Sequence, residues 1–308
     1  MRIINLLTRF IKSRNRAVTI LNWINKTPLR LVVKKCLILA NYNAWKARQD
    51  RSIYSAVTQT ELTAIESLAK YGYAYVTSLI DPKVLELLLE KSNSLKADVE
   101  NISQNQLVRT KEIWVRLTDQ EYTRNNTTSN VFNRVALQDS VLRVVGGYFK
   151  SAPYFVDSLL TLSTGSDAPL KYSQLWHKDY NDTKMLKLFV YLTDVEEDKF
   201  GPFMFIDKIM STKIRRPFLS SHFSDDYAFS QVSLENVIQV KQKKLSVFMV
   251  DTSKCYHAGS RLEPGLERLM LTSMYVDLPC IYPWVTNNSV QDDTFSLSAL
   301  QRMAITPL

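Results

Sequence analysis

Ser173-Gln174-Leu175-Trp176-His177-Lys178-Asp179 is followed closely by Leu186-Lys187-Leu188-Phe189-Val190-Tyr191-Leu192-Thr193-Asp194-Val195. On an extended segment residues i and i+2 face the same side, so the His177 imidazole and the Asp179 carboxylate can converge on one metal ion. The second stretch, dense in aromatic, β-branched and long apolar residues, reads as a strand. Outward from this pair the same signature recurs at Tyr154 to Ser163, Phe203 to Ile206, Val232 to Val240, Ser246 to Val250 and Arg268 to Val276.

Upstream the periodicity changes. Thr60 to Lys70 reads as a helix with Leu62, Ile65 and Leu68 inward, leading through Tyr71-Gly72-Tyr73 to a short strand, Ala74 to Thr77. Asp81-Pro82 opens a second helix, and Ser140 to Phe149 forms a third. Between them, Lys96 to Asn130 is polar, with Trp114 to Leu117 as a strand and the rest read as loop near a site. Helices followed by runs of strands predict an α+β chain with a mainly β core, a sandwich or barrel flanked by N-terminal helices. Nothing marks an internal border after residue 51, so 52–308 is read as one unit.

With only three histidines, His177, His222 and His257, a metal site in this chain must recruit carboxylates or use very few protein ligands. His257 lies just after the strand Ser246 to Val250, and Arg268 opens the next strand across a Glu263-Pro264-Gly265 turn. Two imidazoles and one carboxylate can occupy one face of an octahedral Fe(II) and leave the other face open, whereas a structural metal is closed by protein ligands. A nearby guanidinium can hold a carboxylate bidentately. His222, in Ser220-Ser221-His222-Phe223-Ser224, is expected in a loop.

Gln174-Leu175-Trp176-His177-Lys178-Asp179, Leu186 to Val195, Gly201-Pro202-Phe203, and His257 with Arg268 eleven residues on resemble the phytanoyl-CoA dioxygenase family of Fe(II)/2-oxoglutarate oxygenases, across residues 60 to 277. The resemblance implies a double-stranded β-helix, or jelly roll, over residues 150–280. It implies catalytic iron ligands His177, Asp179 and His257, with Arg268 on 2-oxoglutarate. Gln174, Lys187 and Tyr191 are candidates to line the co-substrate pocket, or else ordinary strand decoration. The implied reaction consumes O2 and 2-oxoglutarate, releases succinate and CO2, and hydroxylates a small-molecule or carrier-linked substrate. Related halogenases carry a small residue where this chain has Asp179, so hydroxylation, or another oxidation, is implied over halogenation. Two departures stand out: Asp207 to Lys213 replaces a Pro-Gly-Ser-His-Lys stretch common in the family, and Gly259 stands where relatives often carry a hydroxyl. The alternative reading is a catalytically silent jelly-roll binding module, recruited to an anionic membrane surface or nucleic acid by its basic N-terminus.

At 308 residues, 45% hydrophobic and 22% charged, the composition is that of an ordinary globular protein. Its seven glycines form no dinucleotide fingerprint, Walker loop or nucleophile elbow, which excludes those enzyme classes as read from motifs. Cys36, Cys255 and Cys280 form no CxxC, so a disulfide framework is not expected and a reducing, cytoplasmic setting fits best.

The net charge of +9 is concentrated: residues 1–51 carry twelve Lys or Arg against the single acid Asp50, and the remainder is slightly acidic. Ile3, Leu6, Leu7, Phe10 and Ile11, then Ala17, Ile20, Leu21 and Ile24, predict two short amphipathic helices. The apolar run Leu31 to Ala40 is interrupted by Lys34 and Lys35, too short to span a bilayer. This basic amphipathic extension is read as a helix packed on the body with a solvated face, as a peripheral contact to an anionic membrane, or as an organelle presequence or nucleic-acid arm. Nucleic acid is the least expected of these partners.

Overall fold

Along Met185–Tyr191 (β6) the side chains alternate: Leu186, Leu188 and Val190 enter one hydrophobic core, while Phe189 and Tyr191 enter another on the opposite face. Glu267–Val276 (β12) repeats this, with Leu269, Leu271 and Tyr275 on one side and Arg268, Met270, Thr272 and Met274 on the other. That is the period-2 pattern of strands covered on both faces, and it requires a layer on each side of the sheet. The structure, a computed structural model, describes residues 20–21, 24–101, 109–110, 114–118, 126–217, 220–259, 261–282, 285, 290–291 and 296–308. The expected helix over Ile3 to Ile11, and much of that over Ala17 to Ile24, lies outside them.

The remaining strands are Tyr73–Tyr75 (β1), Arg109–Thr110 (β2), Trp114–Arg116 (β3), Tyr154–Thr164 (β4), Trp176–His177 (β5), Phe203–Ile206 (β7), His222–Phe223 (β8), Val237–Val240 (β9), Val247–Val250 (β10) and His257–Ala258 (β11). They form two antiparallel sheets, ordered β1-β10-β6-β12-β4-β3-β2 and β8-β5-β11-β7-β9. From β4 to β7, and again from β9 to β12, successive strands alternate between the sheets. This is the jelly roll, with the expected mainly β core in an α+β chain. The predicted strand from Val232 starts only at Val237, because Leu234–Asn236 is a turn of 3₁₀ helix.

The helices before β4 are, in chain order, Leu29–Ala40 (α1), Tyr42–Ala47 (α2), Arg51–Tyr54 (α3), Gln59–Tyr71 (α4), Pro82–Asn101 (α5), Val131–Ala136 (α6) and Asp139–Phe149 (α7). The last five pack on the outer face of the large sheet. Leu68 of α4, Leu88 of α5, Phe132 of α6 and Leu142 of α7 are completely buried against β4, β6, β10 and β12. Thr58 and Glu61 cap the start of α4 reciprocally, and Glu61 also receives Nε and Nη2 of Arg143 from α7. Near the end of β4 the chain passes so close to the β11–β12 turn that a Cβ on Gly165 would lie 1.7 Å from the Glu263 carbonyl oxygen.

Two cations of the N-terminal region are structural. Lys34 Nζ donates to Asp182 Oδ2 (2.7 Å), the Asp277 carbonyl (2.7 Å) and the Pro279 carbonyl (2.8 Å), and both Lys34 and Asp182 are buried. Arg48 donates to the carbonyls of Ala152, Pro153, Met303 and Thr306, tying α2 to the segment before β4 and to Ala299–Ile305 (α8). Removing one member of a buried ion pair leaves its partner uncompensated. Lys34→Met is therefore expected to lower unfolding free energy by about 3–5 kcal/mol in urea titrations at neutral pH. Lys34→Met/Asp182→Asn should recover part of that loss, and a single variant as stable as the parent would contradict this role.

Candidate metal centre

The small sheet assembles the histidines. β11 lies between β5 and β7, and its register sets His257 directly opposite His177. Their ring centroids are 4.2 Å apart. Asp179 follows β5, its backbone N–H donating to the Thr252 carbonyl, so its side chain turns to the same side as His177. The three ligand atoms lie within 4.8 Å of one another. His222, expected in a loop, is on β8 opposite His177, with the two rings stacked at 4.8 Å.

Hydrogen bonding fixes which nitrogen faces the group. His177 Nδ1 sits 2.8 Å from the Leu175 carbonyl oxygen, and His257 Nδ1 sits 3.2 Å from that of Cys255. A carbonyl oxygen only accepts, so each Nδ1 carries the proton and each neutral ring presents the lone pair of Nε2. His257 Nε2 lies 3.6 Å from Asp179 Oδ2. Orientation of a ligating histidine by a backbone carbonyl through its second nitrogen is common at protein metal sites.

Electrostatics support the same protonation states. Burial lowers the pKa of His177 to about 3, with the neighbouring His257 adding to it, and lowers that of His257 to about 4 against the opposing pull of Asp179. Burial by itself would push the Asp179 carboxyl up; the Lys187 ammonium, the largest opposing influence, holds the group well below the usual carboxylate range. Lys187 Nζ, from β6 in the opposite sheet, is 2.8 Å from Asp179 Oδ2. Two neutral imidazoles and a carboxylate anion are the protonation states a divalent cation requires.

The cluster opens on a cavity of about 330 Å³ between the sheets. Its walls include Lys187, Phe189, Phe203, Met270 and the fully buried Arg268. Arg268 Nη1 donates to the carbonyl of Gly201, at a left-handed turn (φ +61°) that favours glycine. Of the residues expected at the site, His177, Asp179, His257, Arg268 and Lys187 line this cavity. Gln174 and Tyr191 lie outside its wall. Gln174 Oε1 instead accepts from the Lys171 N–H in a local cap, and its carbonyl accepts from Arg261. The Tyr191 hydroxyl lies behind the wall, donating to the Val240 carbonyl and accepting from the Phe203 N–H.

Several wall residues are not expected from the sequence. Asp157, Leu159 and Thr161 of β4, Trp114 and Arg116 of β3, and Asn181 all face the cavity. The period-2 pattern of β4 contained part of this signal, since Asp157, Thr161 and Ser163 share one side of the strand. The short β3 joins the wall only through its pairing of Arg116 with Thr161 and Trp114 with Ser163. A Cβ on Gly259 would meet Arg268 Nη2 at 3.9 Å, ordinary contact, so the small residue leaves open space beside the guanidinium.

An unfolded histidine titrates near 6.5, whereas these two stay neutral in the fold down to about 4 and about 3. Between those values the unfolded chain binds more protons, so stability rises with pH and is lost as pH falls. The urea midpoint of chelator-treated protein is expected to drop between pH 7 and pH 5, and to drop less in His177→Gln/His257→Gln. An equal drop in both proteins would contradict the neutral assignment.

Comparison with known proteins finds similarity in fold alone. No protein-family model matches the chain, and no curated protein matches it. Among solved structures it resembles the non-heme alpha ketoglutarate dependent epimerase SnoN from nogalamycin biosynthesis, in a complex with Fe3+, alpha ketoglutarate and nogalamycin RO. There the TM-score is 0.52 at 14% identity, covering 71% of this chain and 84% of SnoN. It also resembles EctD from S. alaskensis, solved with bound Fe and with 2-oxoglutarate and 5-hydroxyectoine; in the latter the TM-score is 0.53 at 16% identity, over 79% of this chain and 84% of EctD. The chain thus shares the jelly-roll architecture of iron- and 2-oxoglutarate-dependent enzymes, and it holds a His-Asp-His cluster between its sheets.

Proposed function

We propose that the chain is an Fe(II)- and 2-oxoglutarate-dependent oxygenase that hydroxylates a small-molecule or carrier-linked substrate, of the phytanoyl-CoA dioxygenase type. The observation that carries this reading is the His177-Asp179-His257 cluster, in ligand-ready protonation states, lining the same cavity as a fully buried arginine. Iron and 2-oxoglutarate, when bound, supply the oxidising chemistry with O2, and 2-oxoglutarate leaves as succinate and CO2. The solved structures of SnoN and EctD with those groups support the cofactor assignment. A reducing, cytoplasmic setting belongs to the proposal and is supported by three free cysteines.

The chain's own residues divide the remaining work. His177, Asp179 and His257 hold the metal. Arg268 presents its guanidinium to a carboxylate of the co-substrate, and its bond to the Gly201 carbonyl limits how that fork can rotate. Lys187 holds the Asp179 carboxylate from the opposite sheet. Phe189, Phe203 and Met270 make the wall around these charges apolar, which excludes water and strengthens their interactions. Trp114, Arg116, Asp157 and Asn181 line the same cavity and are the groups available to a polar substrate.

Under anaerobic conditions, Fe(II) followed by 2-oxoglutarate is expected to produce the weak visible charge-transfer band of a chelated keto-acid. Asp179→Ala should remain folded and show no band. Arg268→Lys should keep the band but need about 10- to 100-fold more 2-oxoglutarate, the loss of a charge-assisted hydrogen bond. A folded parent without the band, or an Asp179→Ala protein with an unchanged one, would overturn the proposal.

A further inference from the structure

The rotation of α1 is set by the buried Lys34, which points into the body and makes three hydrogen bonds there. With 3.6 residues per turn, the face opposite Lys34 is then compelled to point outward. That face carries Leu29, Val32, Cys36 and Leu39, at i, i+3, i+7 and i+10, and all four are exposed. Val32 is 58% exposed and Leu39 74% exposed. Leu31, 54% exposed, borders the stripe, and Lys35 sits beside it. A helix normally turns its apolar stripe inward and its charges outward. Here a lysine is buried and aliphatic side chains face out, so the helix has an apolar face that the chain itself leaves uncovered among the described residues.

Charge identifies what covers it. No acidic residue occurs before Asp50, whereas Lys26, Lys35 and Lys46, all exposed, flank the stripe, and Arg2, Arg9, Lys12, Arg14 and Arg16 precede it in sequence. Cations alone around aliphatic side chains match a bilayer with anionic headgroups, into which an amphipathic helix sinks its apolar face. The helix is too short and too interrupted to cross a membrane, and no described helix is long and apolar enough to do so. We propose that the outward face of α1 docks on an anionic lipid bilayer, with Leu29, Val32 and Leu39 entering the headgroup boundary and the surrounding cations pairing with lipid phosphates. The anchor is rigid, because Lys34 fastens the docked helix to Asp182, and the adjacent Asn181 lines the cavity.

The test is flotation of the full-length protein with vesicles of phosphatidylcholine alone and of phosphatidylcholine with one quarter phosphatidylglycerol. The protein should float with the anionic vesicles and stay behind with the neutral ones. Val32→Asp/Leu39→Asp should lower the bound fraction by roughly tenfold or more, the scale of losing one buried aliphatic side chain. Both positions are exposed, so its circular dichroism and thermal midpoint should match the parent. Val32→Ser/Leu39→Ser serves as the milder variant should the first not fold, with a smaller loss expected. Lys35→Glu should weaken binding and its dependence on salt. A parent that does not float with anionic vesicles, or a double variant that floats equally well, would overturn the proposal. So would a parent that stays unbound but is a dimer by light scattering and turns monomeric in the double variant, because the face would then belong to a second copy. None of these readouts requires iron, so failure here and failure of the oxygenase reading are separate results.

Discussion

The antiparallel pairing of β5 with β11 is the constraint on which the candidate centre depends. Residues directly opposite on neighbouring strands have their side chains on the same face. Setting His177 against His257 therefore brings two imidazoles together from positions eighty residues apart in sequence. A slip of one residue in that register would turn one ring to the outer face of the small sheet, where Trp176 and Tyr256 now pack with Phe223. The register is held from both sides, by β8 against β5 and by β7 against β11. The outward-facing Trp176 adds to this, its indole N–H donating to Asp225, which also receives Arg261.

The second sheet supplies what the first lacks. Cations reach the cavity from β6 and β12, as Lys187 and Arg268, while the histidines and Asp179 come from the facing layer. Opposite charges thus enter from opposite sheets and meet in a space walled by Phe189, Phe203 and Met270. Burial keeps the imidazoles neutral and Lys187 keeps Asp179 charged, so the fold spends part of its stability on maintaining a cluster suited to a divalent cation. Such clustering of perturbed groups in a cavity is more common at functional sites than elsewhere.

Much of this was legible in the sequence because it is local or periodic. The i, i+2 spacing of His177 and Asp179, the strand before His257 and the turn before Arg268 each survive in the structure, as do most strands and the helices from residue 59 to 149. The less legible parts depend on pairings distant in sequence. Lys34 reads only as a charge interrupting the apolar run Leu31 to Ala40, since its partner Asp182 lies 148 residues away. Tyr191 has the right alternation to face inward, but its hydroxyl is held by backbone groups of β7 and β9, which no spacing on β6 reveals. Gln174 sits beside the motif but on a turn of 3₁₀ helix, where the period-2 rule does not apply. His222 reads as polar loop because a two-residue strand carries almost no pattern of its own.

The most direct measurement is an anomalous difference map at the iron edge from crystals of the protein loaded anaerobically with Fe(II). One strong peak is expected within bonding distance of Nε2 of His177, Nε2 of His257 and a carboxylate oxygen of Asp179, with both Nδ1 atoms still donating to the carbonyls of Leu175 and Cys255. Iron bound through Nδ1 or at other residues, or no peak between the two sheets, would contradict this ligand set.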